Sequence, residues 1–141
     1  MRKTWPLYFM DIAKVTATRA TCPRRSVGCL IVKGRQILAT GYNGSLPGMP
    51  HCTDKGCMMI DGHCIQTVHA ELNAIAQAAK AGIPLEGSTA YVTTRPCFSC
   101  FKALVSSGIK EIYYQETYEA HTNHYINYYL ERHPEFILEK L

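Results

Sequence analysis

The chain has 141 residues, 47% of them hydrophobic and 18% charged, a composition that indicates a folded globular chain and excludes a largely disordered one. Its length suits one domain over residues 1–141, and it holds no apolar run of about 18 residues that could form a membrane-spanning helix. The net charge of +4 mildly favours an anionic small-molecule ligand and is too small and scattered to indicate nucleic-acid binding.

The first half of the chain predicts a helix, a hairpin and a long loop. Apolar residues at helical spacing over 4–20 indicate the helix, and the basic start lacks the cleavage site of a secretory signal. Two apolar runs, 27–32 and 36–42, flank a Lys-Gly turn and predict a β-hairpin. Residues 43–66 are rich in glycine and hold three cysteines and two histidines. A loop of that length is expected to be functional or pinned in place.

The second half of the chain alternates helices and strands. The predicted elements are helix 67–81, strand 88–94, helix 97–107, strand 109–115, helix 119–132 and a short strand 135–138. Helical connections of this kind return the chain to the same edge of a sheet, so the later strands are expected to lie parallel. The whole pattern predicts a layered α/β domain.

The cysteines are the first informative residues. An odd number of thiols and the lack of an export signal favour reduced cysteines in a cytoplasmic protein over a disulfide framework. The seven are Cys22, Cys29, Cys52, Cys57, Cys64, Cys97 and Cys100. Cys29 stands within an apolar run and is expected to pack as a small hydrophobic side chain.

Two short segments carry the predicted chemistry. His69 and Glu71 stand near the start of one predicted helix, and Cys97 and Cys100 stand at the start of the next. The free amides and the dipole at a helix start lower thiol pKa values, and residues three apart face the same way, so both thiolates can bind one metal ion. Three ligands leave a fourth zinc position open for water, as in catalytic sites. Glu71 is placed to accept a proton from that water.

Each of these residues also has a simpler interpretation. Cys97 and Cys100 alone could be a redox pair or half of a structural zinc site, His69 an ordinary helix histidine, and Glu71 a solvated side chain. Together, His-x-Glu followed by Pro-Cys-x-x-Cys is the signature of zinc-dependent nucleobase deaminases. We therefore prefer the catalytic interpretation.

With these residues placed, the sequence resembles the cytidine and deoxycytidylate deaminase superfamily, and more narrowly the bacterial and phage deoxycytidylate (dCMP) deaminases, including the late-competence-operon type. The resemblance covers roughly residues 5–130. The segments that carry it are Cys22-Pro-Arg-Arg-Ser-Val-Gly28, Gly41-Tyr-Asn-Gly44, Val68-His-Ala-Glu-Leu-Asn-Ala-Ile75, Pro96-Cys-Phe-Ser-Cys100 and Ser107-Gly-Ile109.

The resemblance implies a three-layer α/β/α cytidine-deaminase-like fold, with a five-stranded mixed sheet and helices on both faces. It implies a zinc-dependent enzyme that converts dCMP to dUMP and ammonia and feeds dTMP synthesis, with a zinc-bound hydroxide attacking C4 of cytosine and Glu71 moving the protons. Homohexamers activated by dCTP and inhibited by dTTP are common in the family, although some members are unregulated.

The resemblance also implies substrate-binding residues. Asn43 is expected to contact the deoxyribose, and Ala70 and Tyr118 are expected to lie near the nucleotide. The simpler interpretations are a glycine-rich turn at Asn43 and a half-buried aromatic side chain at Tyr118.

Four arginines are candidates for binding a phosphate, because a guanidinium group can bind phosphate bidentately. They are Arg19, Arg24, Arg25 and Arg95. Arg24 and Arg25 are preferred, since they stand in the loop before the first strand, although each arginine alone could lie on a solvated surface.

The remaining cysteines predict a second, structural zinc site. A hairpin returns the chain to its starting end, so the cysteines before and after it can meet, and a closed zinc site would pin the loop that follows. Phage members of the family carry an extra zinc with cysteines matching Cys22 and Cys52. The predicted ligands are Cys22, Cys52, Cys57 and Cys64, with His63 or His51 replacing one cysteine as the alternative. The simpler interpretation is a set of incidental thiols.

Two other functions compete with dCMP deamination. One is a related cytosine or pterin-like deaminase with a different sugar or phosphate preference. The other is a zinc-stabilised interaction module associated with DNA uptake, which only the competence-operon resemblance suggests. Glu71 discriminates against that module, because an acid–base residue beside an open metal position has no use in a binding module.

Overall fold

The computed structural model describes residues 1–141. In chain order its elements are α1 (Trp5–Ala17), β1 (Gly28–Lys33), β2 (Gln36–Tyr42), β3 (Gly44–Ser45), α2 (Cys52–Lys55), β4 (Met59–Ile60), β5 (His63–Cys64), β6 (Thr67–Val68), α3 (Ala70–Ala81), β7 (Thr89–Thr94), α4 (Phe98–Ser106), β8 (Glu111–Glu116), α5 (Asn123–Arg132) and β9 (Ile137–Lys140). None of the helices is long and apolar enough to cross a membrane.

Five strands form one mixed sheet in the order β2-β1-β7-β8-β9. Strand β1 is antiparallel to both β2 and β7, whereas β7, β8 and β9 run parallel. The parallel strands are connected by α4 and α5, because a parallel pair needs a crossover that returns the chain to the same edge of the sheet. The predictions of a five-stranded mixed sheet and of parallel later strands are confirmed.

Helices cover both faces of this sheet. On one face α1 packs against Leu30 and Val32 of β1, and on the other α3, α4 and α5 share a core cluster with Cys29 and Ile31 of the same strand. Successive side chains of a strand point to opposite faces, so β1 is buried on both sides. The expected three-layer α/β/α fold is confirmed, and Cys29 is buried, as predicted for a thiol that packs as a hydrophobic group.

Two glycines let helices approach the sheet closely. A Cβ atom on Gly28 would overlap the carbonyl oxygen of Ala13 in α1, and a Cβ atom on Gly41 would overlap the carbonyl oxygen of Ala70 in α3. Only glycine fits where two backbones come this close. The contact at Gly41 fixes the start of α3 against β2 and so helps to place the residues that begin α3.

The structure differs most from the predicted elements between β2 and α3. The predicted loop over 43–66 contains β3, α2, β4 and β5, so it is not structureless. The helix predicted to begin at Thr67 begins at Ala70, because β6 pairs with β3 in an antiparallel ladder. The helix predicted to begin at residue 119 begins at Asn123.

Candidate active site

The three residues predicted as catalytic zinc ligands meet where α3 and α4 begin. His69 is the N-cap of α3, Cys97 is the N-cap of α4, and Cys100 lies in the first turn of α4. The Nδ1 atom of His69 lies 3.3 Å from the Sγ of Cys100 and 3.7 Å from the Sγ of Cys97. All three ligand atoms lie within 4.8 Å of one another. We call this group the active-site cluster.

The active-site cluster fits a zinc ion. Zinc binds cysteine sulfur at about 2.3 Å and histidine nitrogen at about 2.0 Å, and tetrahedral ligands at those lengths stand about 3.5 Å apart. The spacing between His69 and the two sulfurs is close to that value. Three protein ligands leave one coordination position for water or substrate, which is the arrangement of catalytic rather than structural zinc sites.

Charges within the cluster also favour a metal ion. Hydrogen bonds from Cys100 and His69 lower the pKa of the Cys97 thiol to about 4. The hydrogen bond with Cys97 raises the pKa of His69, and a metal ion would displace that proton on binding. Cys97 is therefore a thiolate at neutral pH, and the thiolate is the form of cysteine that binds metals. The dipole at the start of α4 acts in the same direction.

Glu71 lies in the first turn of α3 and is only 5% exposed. Burial raises the pKa of its carboxyl group to about 7, because the charged form loses its hydration. A carboxyl group with a pKa near neutrality can both accept and donate a proton. Glu71 is thus chemically suited to move protons beside the active-site cluster.

His69, Glu71 and Cys97 line an open cavity of about 370 Å³. Of the residues singled out in the sequence, the cavity is lined by Cys22, Arg24, Arg25, Asn43, His63, Cys64, His69, Ala70, Glu71, Arg95, Cys97 and Tyr118. Cys100 is fully buried beside it, and Arg19 is not among the lining residues. The structure therefore brings the predicted acid–base residue, sugar contact and preferred phosphate contacts into one cavity.

Asn43 holds the loop that carries two of the cavity arginines. Its Oδ1 accepts a hydrogen bond from the Val27 N–H at 2.8 Å, and its Nδ2 donates to the Arg25 carbonyl at 2.8 Å. Its side chain is buried in the cavity wall. Asn43 therefore has a structural role that its interpretation as part of a glycine-rich turn did not include. Its contact with the sugar stays a prediction.

The cavity is rich in unpaired positive charge. Arg25 stacks over the ring of Tyr118, with its guanidinium carbon 5.0 Å from the ring centre, and Arg24 contacts the Sδ of Met59 at 3.2 Å. Both ion pairs in the chain involve Asp11, which is not among the cavity residues. The cavity arginines are thus free to bind an anionic group.

Sequence reasoning missed part of the cavity wall. Thr67 and Thr94 line it, and so does His63, which the sequence suggested only as an alternative metal ligand. Thr94 ends β7, and the carboxyl ends of sheet strands are where α/β folds place ligands. That rule could have identified Thr94, whereas the position of Thr67 depends on the β3–β6 ladder, which the sequence did not indicate.

The four cysteines predicted for a structural site form a second group, which we call the loop cluster: Cys22, Cys52, Cys57 and Cys64. The sulfurs of Cys22 and Cys57 lie 3.9 Å apart, and those of Cys52 and Cys64 lie 3.6 Å apart. Cys22, Cys52 and Cys57 form a group whose sulfurs all lie within 4.8 Å of one another. These three sulfurs fit three positions of a structural zinc site, and Cys64, which is close to Cys52, is the predicted fourth ligand.

The histidine alternatives do not join this group. His51 is the N-cap of α2, and His63 lies in the wall of the cavity. The group of three sulfurs within 4.8 Å of one another includes neither histidine, and it does not include Cys64 either, so the identity of a fourth ligand stays a prediction. Burial raises the pKa of Cys64, but hydrogen bonds from the backbone of Gln66 and its neighbours outweigh burial and bring the pKa to about 7. The Cys64 thiolate is therefore readily formed.

Residues 3–116 match the family described as the cytidine and deoxycytidylate deaminase zinc-binding region. Fold, active-site cluster and buried glutamate agree with that match, and the chain belongs to this family of zinc-binding deaminases. It is 50% identical over 120 residues to ComE operon protein 2 of Bacillus subtilis. The match covers 85% of this chain and 64% of that protein.

Other relatives are named as deoxycytidylate deaminases. The enzyme of Enterobacteria phage T4 is 34% identical, over 78% of this chain and 77% of its own. The enzyme of Saccharomyces cerevisiae is 37% identical over 84% of this chain, and the match spans only 39% of that protein. The solved structure of the dCMP deaminase of cyanophage S-TIM5, in complex with dCMP and dUMP, superposes with a TM-score of 0.83 at 30% identity, covering 100% of this chain and 99% of that one.

Proposed function

We propose that this protein catalyses the zinc-dependent hydrolytic deamination of dCMP to dUMP and ammonia, and so supplies dUMP for dTMP synthesis. One observation carries the proposal: a His-Cys-Cys cluster and a buried glutamate share a cavity with arginines that have no ion-pair partner. The phage relative that was solved with dCMP and dUMP supports the choice of substrate.

In this proposal His69, Cys97 and Cys100 hold one Zn²⁺ ion. When bound, the ion supplies Lewis-acid activation of a water molecule for attack on an electrophilic carbon. The buried carboxyl of Glu71 accepts one proton from the attacking water and donates it to N3 of the cytosine ring; it then takes the second proton of the same water molecule and passes it to the departing amine. Its pKa of about 7 suits both the accepting and the donating steps.

The remaining cavity residues bind and orient the nucleotide. Ala70, next to the metal ligand in the first turn of α3, and Tyr118 flank the base and sugar, and Asn43 contacts the deoxyribose. Arg24 and Arg25 bind the phosphate through charge-assisted hydrogen bonds. The support for these roles is that all five residues line the cavity that holds Glu71.

The loop cluster holds a second, structural Zn²⁺ ion through Cys22, Cys52, Cys57 and Cys64. The mutual spacing of the Cys22, Cys52 and Cys57 sulfurs and the 3.6 Å distance between the sulfurs of Cys52 and Cys64 support this assignment. Elemental analysis of freshly purified protein should then find two zinc ions per chain, one in each cluster.

Assembly, regulation and location follow the family resemblance in this proposal. The protein forms a homo-oligomer, a hexamer by resemblance, is activated by dCTP and inhibited by dTTP, and acts in the cytoplasm without nucleic-acid or membrane partners. Exposed apolar side chains on α1 offer a surface for such assembly: Trp5, Leu7, Tyr8 and Val15. Sedimentation and assays with each effector test these points.

The direct test of the activity is ammonia release from zinc-loaded protein supplied with dCMP, CMP, deoxycytidine or dCTP. Each arginine–phosphate contact contributes roughly 1.5–3 kcal/mol, so kcat/KM for dCMP should exceed that for deoxycytidine by about 10²–10⁴. Equal turnover of dCMP and deoxycytidine would contradict the nucleotide assignment while leaving membership of the deaminase family intact.

A further inference from the structure

One arginine of the cavity has an unpaired buried nitrogen. Arg95 stands between the last residue of β7 and the Pro96-Cys97 segment, and it lines the same cavity as Glu71. The residue is half-buried, and its Nε atom is buried without a hydrogen-bond partner. Buried polar atoms in folded proteins are nearly always paired. An unpaired guanidinium nitrogen in a cavity wall therefore points to a partner that the substrate brings.

The surroundings of Arg95 fix its backbone and leave its charge free. The Arg95 N–H donates to the Glu116 carbonyl at 2.8 Å, which ties the end of β7 to the end of β8. The guanidinium carbon lies 5.8 Å from the centre of the Tyr114 ring, and the side chain forms no ion pair. Arg95 is thus a cation held on the sheet, with nothing in the chain to neutralise it.

We propose that Arg95 binds the 5′-phosphate of the nucleotide, with its Nε and one terminal nitrogen donating to two phosphate oxygens. Such bidentate pairs are the strongest and most directional contacts that arginine makes. A phosphate carries close to two negative charges at neutral pH, so it can engage more than one arginine. This inference rests on the proposed function, because it requires a nucleotide substrate.

Arg95 differs from the two arginines already assigned to the phosphate. Arg24 and Arg25 stand on the exposed loop before β1 and already contact Met59 and Tyr118. Arg95 directly follows β7 and stands two residues before Cys97 of the active-site cluster. A phosphate bound by Arg95 would therefore place the nucleotide relative to the segment that supplies a metal ligand, and the exposed side chains of Arg24 and Arg25 would add affinity.

The test compares Arg95→Gln with a matched control, Arg132→Gln. Arg132 also lies over a tyrosine ring, at 4.5 Å from the centre of Tyr128, and is outside the cavity. Arg95→Gln should raise KM for dCMP, and the Kd for dUMP measured by calorimetry, by about tenfold to a hundredfold. Turnover of deoxycytidine should stay as in the wild type. Arg132→Gln should change none of these values, and Arg95→Lys should restore part of the loss.

Other outcomes would overturn the proposal in distinguishable ways. If Arg95→Gln lowers kcat/KM for dCMP and deoxycytidine by the same factor, Arg95 is a structural residue. If the wild type binds dUMP and Arg95→Gln binds it equally well, the assignment of Arg95 fails alone. If the wild type neither binds dUMP nor acts on dCMP, the proposed function itself fails. If Arg95→Gln does not fold, Arg95→Lys provides the test. A KM for dCMP in Arg95→Lys equal to that of the wild type would overturn the bidentate contact.

Discussion

The active-site cluster and the loop cluster are built from similar ligands but held by different kinds of structure. His69, Cys97 and Cys100 stand at the starts of α3 and α4, two helices whose apolar faces belong to the main core. Cys52, Cys57 and Cys64 of the loop cluster are joined by a four-residue helix, two-residue strands and irregular chain, and Cys22 lies in the irregular segment between α1 and β1. Core packing therefore positions the first cluster, and very little packing positions the second.

This difference predicts what a metal ion does in each place. Apolar side chains around the loop cluster are exposed, among them Met58, Met59, Ile60 and Ile65, so the segment gains little from hydrophobic burial. A closed zinc site supplies folding free energy to such segments. At the active-site cluster the fold already supplies the geometry, so a metal ion can leave one coordination position for chemistry.

The two regions meet in the segment before β1. Cys22 belongs to the loop cluster, and the two arginines that follow it line the cavity. The Thr53 N–H donates to the Thr21 carbonyl at 3.1 Å, and the Thr21 N–H donates to the Asn43 carbonyl at 3.1 Å. A change in the loop cluster should therefore reach the arginines proposed to bind the phosphate and leave the active-site cluster intact.

The largest effect is expected from Cys97→Ala. Removing this thiolate leaves two ligands at the active-site cluster, too few for a catalytic zinc site. Deamination of dCMP should become unmeasurable and the zinc content should fall from two ions to one, while the thermal unfolding curve changes little because the helix start is held by the core. Retention of both zinc ions, or of wild-type turnover, would contradict the assigned ligand set.

Glu71→Gln should lower turnover of dCMP by about 10²–10⁴, the usual contribution of a general acid–base residue. Glutamine has nearly the same size, so both zinc ions and the fold should be retained, which elemental analysis and circular dichroism can verify. The comparison with Cys97→Ala is informative, since one variant loses the metal and the other loses only the proton carrier. Near-wild-type activity in a fully zinc-loaded Glu71→Gln protein would remove Glu71 from the mechanism.

Cys52→Ala tests the loop cluster. The variant should lose one zinc ion, melt at a lower temperature and be cleaved faster by trypsin within its loop. KM for dCMP should rise about tenfold, because the segment before β1 that carries Arg24 and Arg25 is held less firmly. Deoxycytidine turnover should change little. Cys29→Ala is the control: it removes a buried thiol from the core, costing on the order of 1 kcal/mol, and should keep both zinc ions and the wild-type KM. A Cys52→Ala protein with unchanged zinc content would rule out the second site.

The contrast between the clusters also explains what could be predicted from the sequence. In the four long helices and the five sheet strands, apolar residues recur at regular spacing along the element. This spacing marks one face of each helix and the buried positions of each strand, and packing buries those positions in the core. The three residues of the active-site cluster, which are the predicted zinc ligands, stand in two short motifs at helix starts. Local sequence therefore determines where they point, and the structure brings them together as expected.

The segment between β2 and α3 could not be predicted in the same way. Strands of two residues, such as β3 and β6, have no periodicity, and they form only because their partners lie nearby in the folded chain. The start of α3 at Ala70 and the position of Thr67 in the cavity wall depend on that pairing. The cysteines marked the loop as pinned, but their spacing alone did not show which side chains meet.

The smallest effect is expected from Asn43→Ala. This change loosens the segment that carries Arg24 and Arg25 on the side of β1, whereas the loop cluster holds the same segment at Cys22. The side chain makes a buried hydrogen bond with the Val27 N–H and a partly buried one with the Arg25 carbonyl. Leaving a buried group unpaired costs about 1–3 kcal/mol. The variant should be less stable and show a KM for dCMP raised several-fold, with both zinc ions retained. Asn73→Ala is the matched control, because the Nδ2 of Asn73 donates to the Tyr42 carbonyl at 2.8 Å outside the cavity wall. It should lower stability without changing KM, so equal KM values in the two variants would show that Asn43 supports the fold and not the substrate.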